Sequence, residues 1–479
     1  MLEQADEARD GGLISRHHAR HFGGGGTGAL HATLQQNDQG IFHGRIVCHN
    51  TRAAYNAAIM RMRNALAGVV WLVVSAGAVG PISPALADPP SGDRARPAGP
   101  PSASHLVNLA GATLPRLSPD GSRVAFVLAD SLDPTLRQIA LAVTEEGIRP
   151  RPLTAGGRSA DNPRWTPDGK HLLFLTSASD TSLPQIRIID PTGGESRTLT
   201  GEPRGVADMH VSPDGRLLAW LVPGPLNPGG DPVDPMMRPP GTKLRWRELD
   251  GTKTTTLSPD SANVWRFAWA PDNRRVAALY TRPGKFGEWR RGMLAIADIE
   301  SGEWRRVPGL WDPNNDVAWS AGGDSLAAYR LPALDRAYPV LHVMSVDDLD
   351  ASPANRITPP DARYTEHGVI WTSGGGLVVA SWEGVRTFLT RIDPASGRRT
   401  RLAECWNELS TDFSMNDAGV LAWISGGLDG PADIYARLPG DAASRRLSIL
   451  NPQLAEREWP APEVVTWRSR DDLTIEGIL

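Results

Sequence analysis

Short apolar runs recur along this chain, each preceded by the same polar phrase. Val124-Ala125-Phe126-Val127, Leu172-Leu173-Phe174-Leu175, Leu217-Leu218-Ala219-Trp220-Leu221 and Val276-Ala277-Ala278-Leu279-Tyr280 are nearly all apolar. That is the pattern of a strand covered on both faces. Before them stand Leu117-Ser118-Pro119-Asp120-Gly121, Trp165-Thr166-Pro167-Asp168-Gly169, Val211-Ser212-Pro213-Asp214-Gly215 and Trp269-Ala270-Pro271-Asp272-Asn273. Weaker echoes follow at Trp319-Ser320-Ala321-Gly322-Gly323, Trp371-Thr372-Ser373-Gly374-Gly375 and Ser414-Met415-Asn416-Asp417-Ala418. The fourth positions of the phrase are 120, 168, 214, 272, 322, 374 and 417, so the interval stays between 43 and 58 residues. A sustained period in this range marks one supersecondary unit stacked on itself.

The phrase is turn chemistry. Pro presets φ, Asp bonds its own nearby backbone, and Gly supplies the positive φ that ends the turn. Its aspartates therefore read as structural, not as ligands or catalytic acids. The remainder of each repeat fits two further hairpin strands. Gln185-Ile186-Arg187-Ile188-Ile189 alternates, Asp190-Pro191-Thr192-Gly193-Gly194 turns, and Arg197-Thr198-Leu199 returns. Met293–Ile299 with Trp304–Val307, and Thr387–Ile392 with Arg399–Leu402, repeat the arrangement. Hairpins at this spacing predict an all-β fold, a seven-bladed β-propeller of four-stranded antiparallel blades over residues 105–458. Four blades are clear and three are inferred from degenerate phrases.

Composition agrees. Gly 49 and Pro 41 suit a turn-rich β fold, and 16 Trp against 6 Tyr and 8 Phe suits wedge-shaped blades that need bulky filler. Net charge is −4 without a basic run, which argues against a nucleic-acid partner. Residues 60–87 read as a secretory signal. Arg61 and Arg63 precede the apolar run Ala65–Val79, and Ala85-Leu86-Ala87 places cleavage between Ala87 and Asp88. The expected location is periplasmic or secreted, with no stable membrane anchor after cleavage. Residues 1–59, Gly- and His-rich, read as a mis-assigned or disordered prefix, with Met60 or Met62 as the true start. Residues 88–104 form a Pro-rich linker. Cys48 and Cys405 are the two cysteines, and cleavage would leave Cys405 alone, so no internal disulfide is expected. No metal or cofactor is expected. His105, His171, His210, His342 and His367 show no common blade position in the sequence.

The last stretch is more particular. Glu463-Val464-Val465-Thr466-Trp467-Arg468-Ser469-Arg470-Asp471-Asp472-Leu473-Thr474-Ile475-Glu476-Gly477-Ile478-Leu479 resembles the junction at which the prolyl-oligopeptidase family of serine peptidases passes from its final blade into an α/β-hydrolase domain. The family's pattern there is E-x-V-x-W-x-S-x-D-G-x-x-I-x-G-x-L, and Asp472 stands where it usually has Gly. The resemblance covers about residues 105–479, with 459–479 as the truncated start of the hydrolase domain. It implies that the catalytic Ser, Asp and His belong to that domain, and no residue here matches them. No G-x-S-x-G nucleophile elbow occurs, and Gly157-Arg158-Ser159-Ala160-Asp161 comes nearest.

The resemblance further implies that the propeller gates oligopeptide access to the hydrolase domain. Antiparallel blades put the Asp-Gly turns on one face and the blade connections on the other. The chain leaves the last blade on the connection face, so the hydrolase domain is expected there. Three residues on that face are candidates for substrate access: Glu383, after the second strand of blade six, and Met236 and Met237, in the Pro-rich insertion Pro223–Lys243. The pair Glu145-Glu146 reads as a hairpin turn on the opposite face, not as a dyad for a peptide's amino end. The competing reading is a stand-alone periplasmic propeller that acts as a protein-binding scaffold.

Overall fold

The computed structural model describes residues 30–36, 42–48 and 99–479, apart from short internal stretches of which 226–240 is the longest. The chain divides into two units, Met1–Asp93 and Arg94–Leu479. In the first, Leu30–Gln36 pairs antiparallel with Phe42–Cys48. This hairpin is an element that the Gly- and His-rich composition does not announce. The signal segment with Ala87 and Asp88, and Met236 with Met237, lie outside the described residues.

The second unit is the predicted seven-bladed propeller. Each of its seven sheets is built from four consecutive antiparallel strands, the degenerate blades five to seven included. The innermost strands are Gly111–Leu117, Ala160–Trp165, Asp208–Val211, Asn263–Trp269, Val317–Trp319, Thr365–Trp371 and Phe413–Met415. Second strands carry the apolar runs and are wholly buried at Phe126, Leu172, Leu218, Leu326 and Val378. Neighbouring blades share the resulting core. Leu221 and Leu244 of blade three, for example, pack with Phe267 and Val276 of blade four. Each such side chain contributes about 1.5–3 kcal/mol. In five blades the outermost strand has only 2 residues, which leaves little open edge for another chain to pair with.

The repeated phrase folds as its chemistry requires. Ser118 Oγ and the Ser122 amide both donate to Asp120 Oδ1, and Thr166 Oγ1 and the Lys170 amide do the same to Asp168. These bonds hold both carboxyls below the usual carboxylate range, the Ser118 and Thr166 hydroxyls contributing most. Gly121, Gly169, Gly215, Gly323 and Gly375 close their turns at φ 69–79°, and Asn273 does so at 61° in blade four. Blade seven corrects the sequence reading by one residue. Asn416 takes the place of the phrase's Ser, accepting from the Val420 amide, and the left-handed residue is Gly419 rather than Ala418.

The phrase's tryptophans do more than fill space. Trp165 Nε1 donates to the Arg116 carbonyl (2.9 Å), Trp269 to that of His210 (3.2 Å), and Trp319 to that of Ala268 (3.1 Å). Each bond latches one blade to the innermost strand of the preceding blade.

The ring closes without sharing a strand between its ends. Blades one and seven meet through an apolar cluster that joins Leu117, Phe126 and Ala140 to Ile424, Ile434 and Leu447. Asn451, buried at 2% exposure, bonds both backbone groups of Ala110: its Oδ1 accepts from the amide and its Nδ2 donates to the carbonyl, each at 2.9 Å. The Leu117 amide donates to Ser414 Oγ across the same seam at 2.9 Å.

Candidate functional site

The seven innermost strands enclose an axial channel of about 800 Å³. Its wall is organised in levels that can be counted from the turns. Two residues before each turn's first residue stand Arg116, Arg164 and His210 in blades one to three, then Ala268, Ala318, Ile370 and Ser414 in blades four to seven. Two residues deeper, toward the connection face, the wall carries Asp208, Arg266, Asp316 and Asp412. The two levels are separated by roughly 7 Å of extended strand. Basic groups therefore gather near the turn mouth on three adjacent blades, and most carboxylates stand nearer the connection mouth.

Backbone irregularity sets these positions. Pairing slips between Thr113 and Arg116 and between Asp161 and Arg164. Leu114 and Asn162 occupy the left-handed region at φ 53° and 52°, each followed by a proline. Blade six has the same bulge between His367 and Ile370, with Gly368 at φ 61°. A bulge re-aims the side chains that follow it. In blades one and two those side chains are the two arginines. A leucine in this conformation is strained, and such strain persists only where the surroundings impose it.

The electrostatics of the wall are uneven. Asp208 accepts from Asn162 Nδ2 (2.8 Å) and from its own strand's Met209 amide (2.9 Å), and it lies 3.6 Å from Arg164 and 3.8 Å from His210. Arg266 lies 4.0 Å from Asp316. Arg116 donates to the Pro115 carbonyl (2.9 Å), and among the described residues it has no ion pair. The Nε atoms of Arg116 and Arg164 are both buried without a hydrogen-bond partner. Burial and the neighbouring Arg164 push the Arg116 guanidinium down to about 10, so it remains charged at neutral pH. Burial, then Arg164, lowers His210, which sits edge-on to Phe267. Burial also lowers His367. Both imidazoles are therefore neutral at pH 7.

His210 and His367 line the same channel without sharing a level, since in blade six the level of His210 is held by Ile370 and His367 lies beyond the bulge. The signal for Arg116, Arg164 and His210 was present: counting back two residues from each turn finds all three. Among the described residues no three His, Cys, Asp or Glu side chains come together as a metal site. Cys405 is buried, and burial pushes its thiol up to about 12.

Glu383 lies at the tight turn between the second and third strands of blade six. Its carboxylate accepts from Ser381 Oγ (3.2 Å) and pairs with Arg401. The adjacent Gly384, at φ 59°, abuts the Glu476 side chain so closely that a Cβ there would overlap its carboxylate. The terminal hairpin, Val464–Arg468 with Thr474–Ile478, therefore stands on the connection face beside blade six. Its turn places Asp472 at φ 62°, the conformation glycine favours. Trp467 is 50% and Leu473 55% exposed, so the hairpin's apolar groups are only partly covered.

The fold is a seven-bladed propeller of the kind seen in solved peptidase structures. Solved structures of that kind superimpose on the chain. The acylaminoacyl peptidase of Pyrococcus horikoshii does so with a TM-score of 0.57 at 14% identity, covering 78% of this chain and 58% of its own. A puromycin hydrolase gives 0.58 at 15% identity, covering 78% and 59%. The isolated propeller of the trilobed protease from Pyrococcus furiosus, described as having an open velcro topology, gives 0.51 at 14% identity over 72% of this chain and 99% of its own. No family model matches the chain. Curated relatives are peptidases by name. The uncharacterized peptidase YuxL of Bacillus subtilis is 28% identical over 224 residues, 46% of this chain and 30% of its own length. Dipeptidyl-peptidase 5 of Porphyromonas endodontalis is 32% identical over 108 residues, 22% of this chain and 15% of its own. The chain spans less than a third of either relative.

Proposed function

We propose that this propeller is the non-catalytic portion of an exported serine peptidase acting on oligopeptides, and that it gates their access to an α/β-hydrolase domain. One observation carries the reading: the terminal hairpin, whose sequence resembles the opening strands of such a domain, packs on the connection face beside blade six. Its half-exposed Trp467 and Leu473 are the surface that a following domain would cover. The axial channel of about 800 Å³ has room for a short peptide and not for a folded protein. Export is supported by the charged, apolar and small-residue order of residues 60–88.

The test has two parts. A serine-directed fluorophosphonate should leave this chain unlabelled, and labelling would overturn the non-catalytic assignment. The coding sequence downstream of Leu479 should contain a G-x-S-x-G followed by Asp and His. The joined protein should then hydrolyse tetrapeptides and spare a folded protein of similar sequence, and indifference to substrate size would overturn the gate.

A further inference from the structure

The two channel arginines share a register position, a preceding bulge, and a buried Nε without a hydrogen-bond partner. Arg116 and Arg164 each follow a left-handed residue and a proline, so the backbone is bent at both sites where it presents a guanidinium to the lumen. Their Nε atoms are buried and unpaired, and among the described residues the one ion pair that reaches either is the 3.6 Å contact of Arg164 with Asp208. Asp208 is already engaged by Asn162. A buried donor without an acceptor is costly, and a guanidinium fork matches a carboxylate better than any other common anion of peptides. Across the lumen the same level carries Ala268 and Ile370, which offer no competing charge.

From this geometry we infer that Arg116 and Arg164 form a subsite for the C-terminal carboxylate of a short peptide held in the channel. The inference rests on the proposed access role and specifies which end of the peptide is recognised. One level deeper stand Asp208, Asp316 and Asp412 with Arg266, which lies 4.0 Å from Asp316, and this surplus of carboxylates favours the amino end there. A peptide so held points its amino end toward the connection face and its carboxylate toward the turn mouth. Roughly 7 Å of strand separates the levels, and an extended tripeptide, at about 10 Å, is longer than that separation.

The experiment is calorimetric titration of the full chain at pH 7.5 with trialanine, with its C-terminal amide, and with inorganic phosphate. Trialanine should bind at least tenfold more tightly than the amide and more tightly than phosphate. Arg116→Gln and Arg164→Gln should each abolish the preference for acid over amide, while Arg306→Gln, on the exposed outer strand of blade four, should keep it. Equal binding of acid and amide to the unmodified chain would overturn the subsite and leave the access role standing. Failure of both peptides to bind would overturn the subsite and count against the access role as well. Tighter binding of phosphate than of trialanine would overturn the assignment to a peptide carboxylate. The comparison of acid with amide needs no variant, so misfolding of a substituted chain does not blunt it.

Discussion

Arg116 and Asp120 lie four residues apart on the same blade and treat charge in opposite ways. The aspartate, at the rim, is saturated by its own loop: a hydroxyl and an amide reach one oxygen, and the Ser122 hydroxyl the other. The arginine, in the lumen, keeps an unpaired buried Nε. The rim turn recurs in every blade, with its aspartate kept in blades one to four, whereas the lumen does not repeat, since blades one to three carry Arg116, Arg164 and His210 where the other four carry Ala268, Ala318, Ile370 and Ser414. Repetition therefore marks the groups that build the ring. Departure from repetition marks the groups available to a ligand.

If that division holds, stability should reside in the repeated and seam positions and be nearly indifferent to the lumen. The largest loss should come from Phe126→Ala, which empties a fully buried site between blades one and seven and should cost about 3–5 kcal/mol in urea unfolding. Asn451→Ala strips both partners from the Ala110 backbone and should cost about 2–3 kcal/mol by the same measurement. Trp269→Phe keeps the ring but removes the latch to the His210 carbonyl, for about 1 kcal/mol. Arg116→Gln should change stability by less than ~0.5 kcal/mol, because among the described residues the charge it removes is in no ion pair and its Nε has no hydrogen bond to lose. A large loss there would erase the distinction between rim and lumen.

Acid sharpens the comparison. Burial alone would raise the Asp298 carboxyl in the outer turn of blade four, but the Ser301 amide and Arg274 outweigh it and hold the group at about 2. An unfolded aspartate titrates near ~3.9, so the stabilisation is complete above about pH 4 and is lost as pH falls through about 2. Asp298→Asn should flatten the decline in melting temperature over that window. An equally steep decline in the variant would place the acid sensitivity elsewhere.

The ring was legible because its signals are local. A Pro-Asp-Gly turn is determined by four adjacent residues, and Asn273 could be read as a Gly substitute for the same reason. The seventh turn was misplaced by one residue because Asn416 imitates Ser with a longer side chain, which no local composition rule anticipates. The tryptophan latches were hidden, since their acceptors lie about fifty residues away in another blade. The lumen was half legible. Counting back from the turns locates Arg116 and Arg164, but whether Asp208 or Asp316 comes near enough to neutralise them depends on distances around the ring. The bulges left a faint trace in Leu114-Pro115 and Asn162-Pro163, where proline interrupts an inner strand.

The seam between blades one and seven has an engineering consequence. Because no sheet borrows a strand from the far end of the propeller, the circle is topologically a strip of seven tiles rolled up and pinned at Asn451. Where the strip is cut is a matter of convention. A gene rearranged to begin at blade four, with a linker spanning the old seam, would still encode seven complete tiles, and the pin would become an ordinary joint.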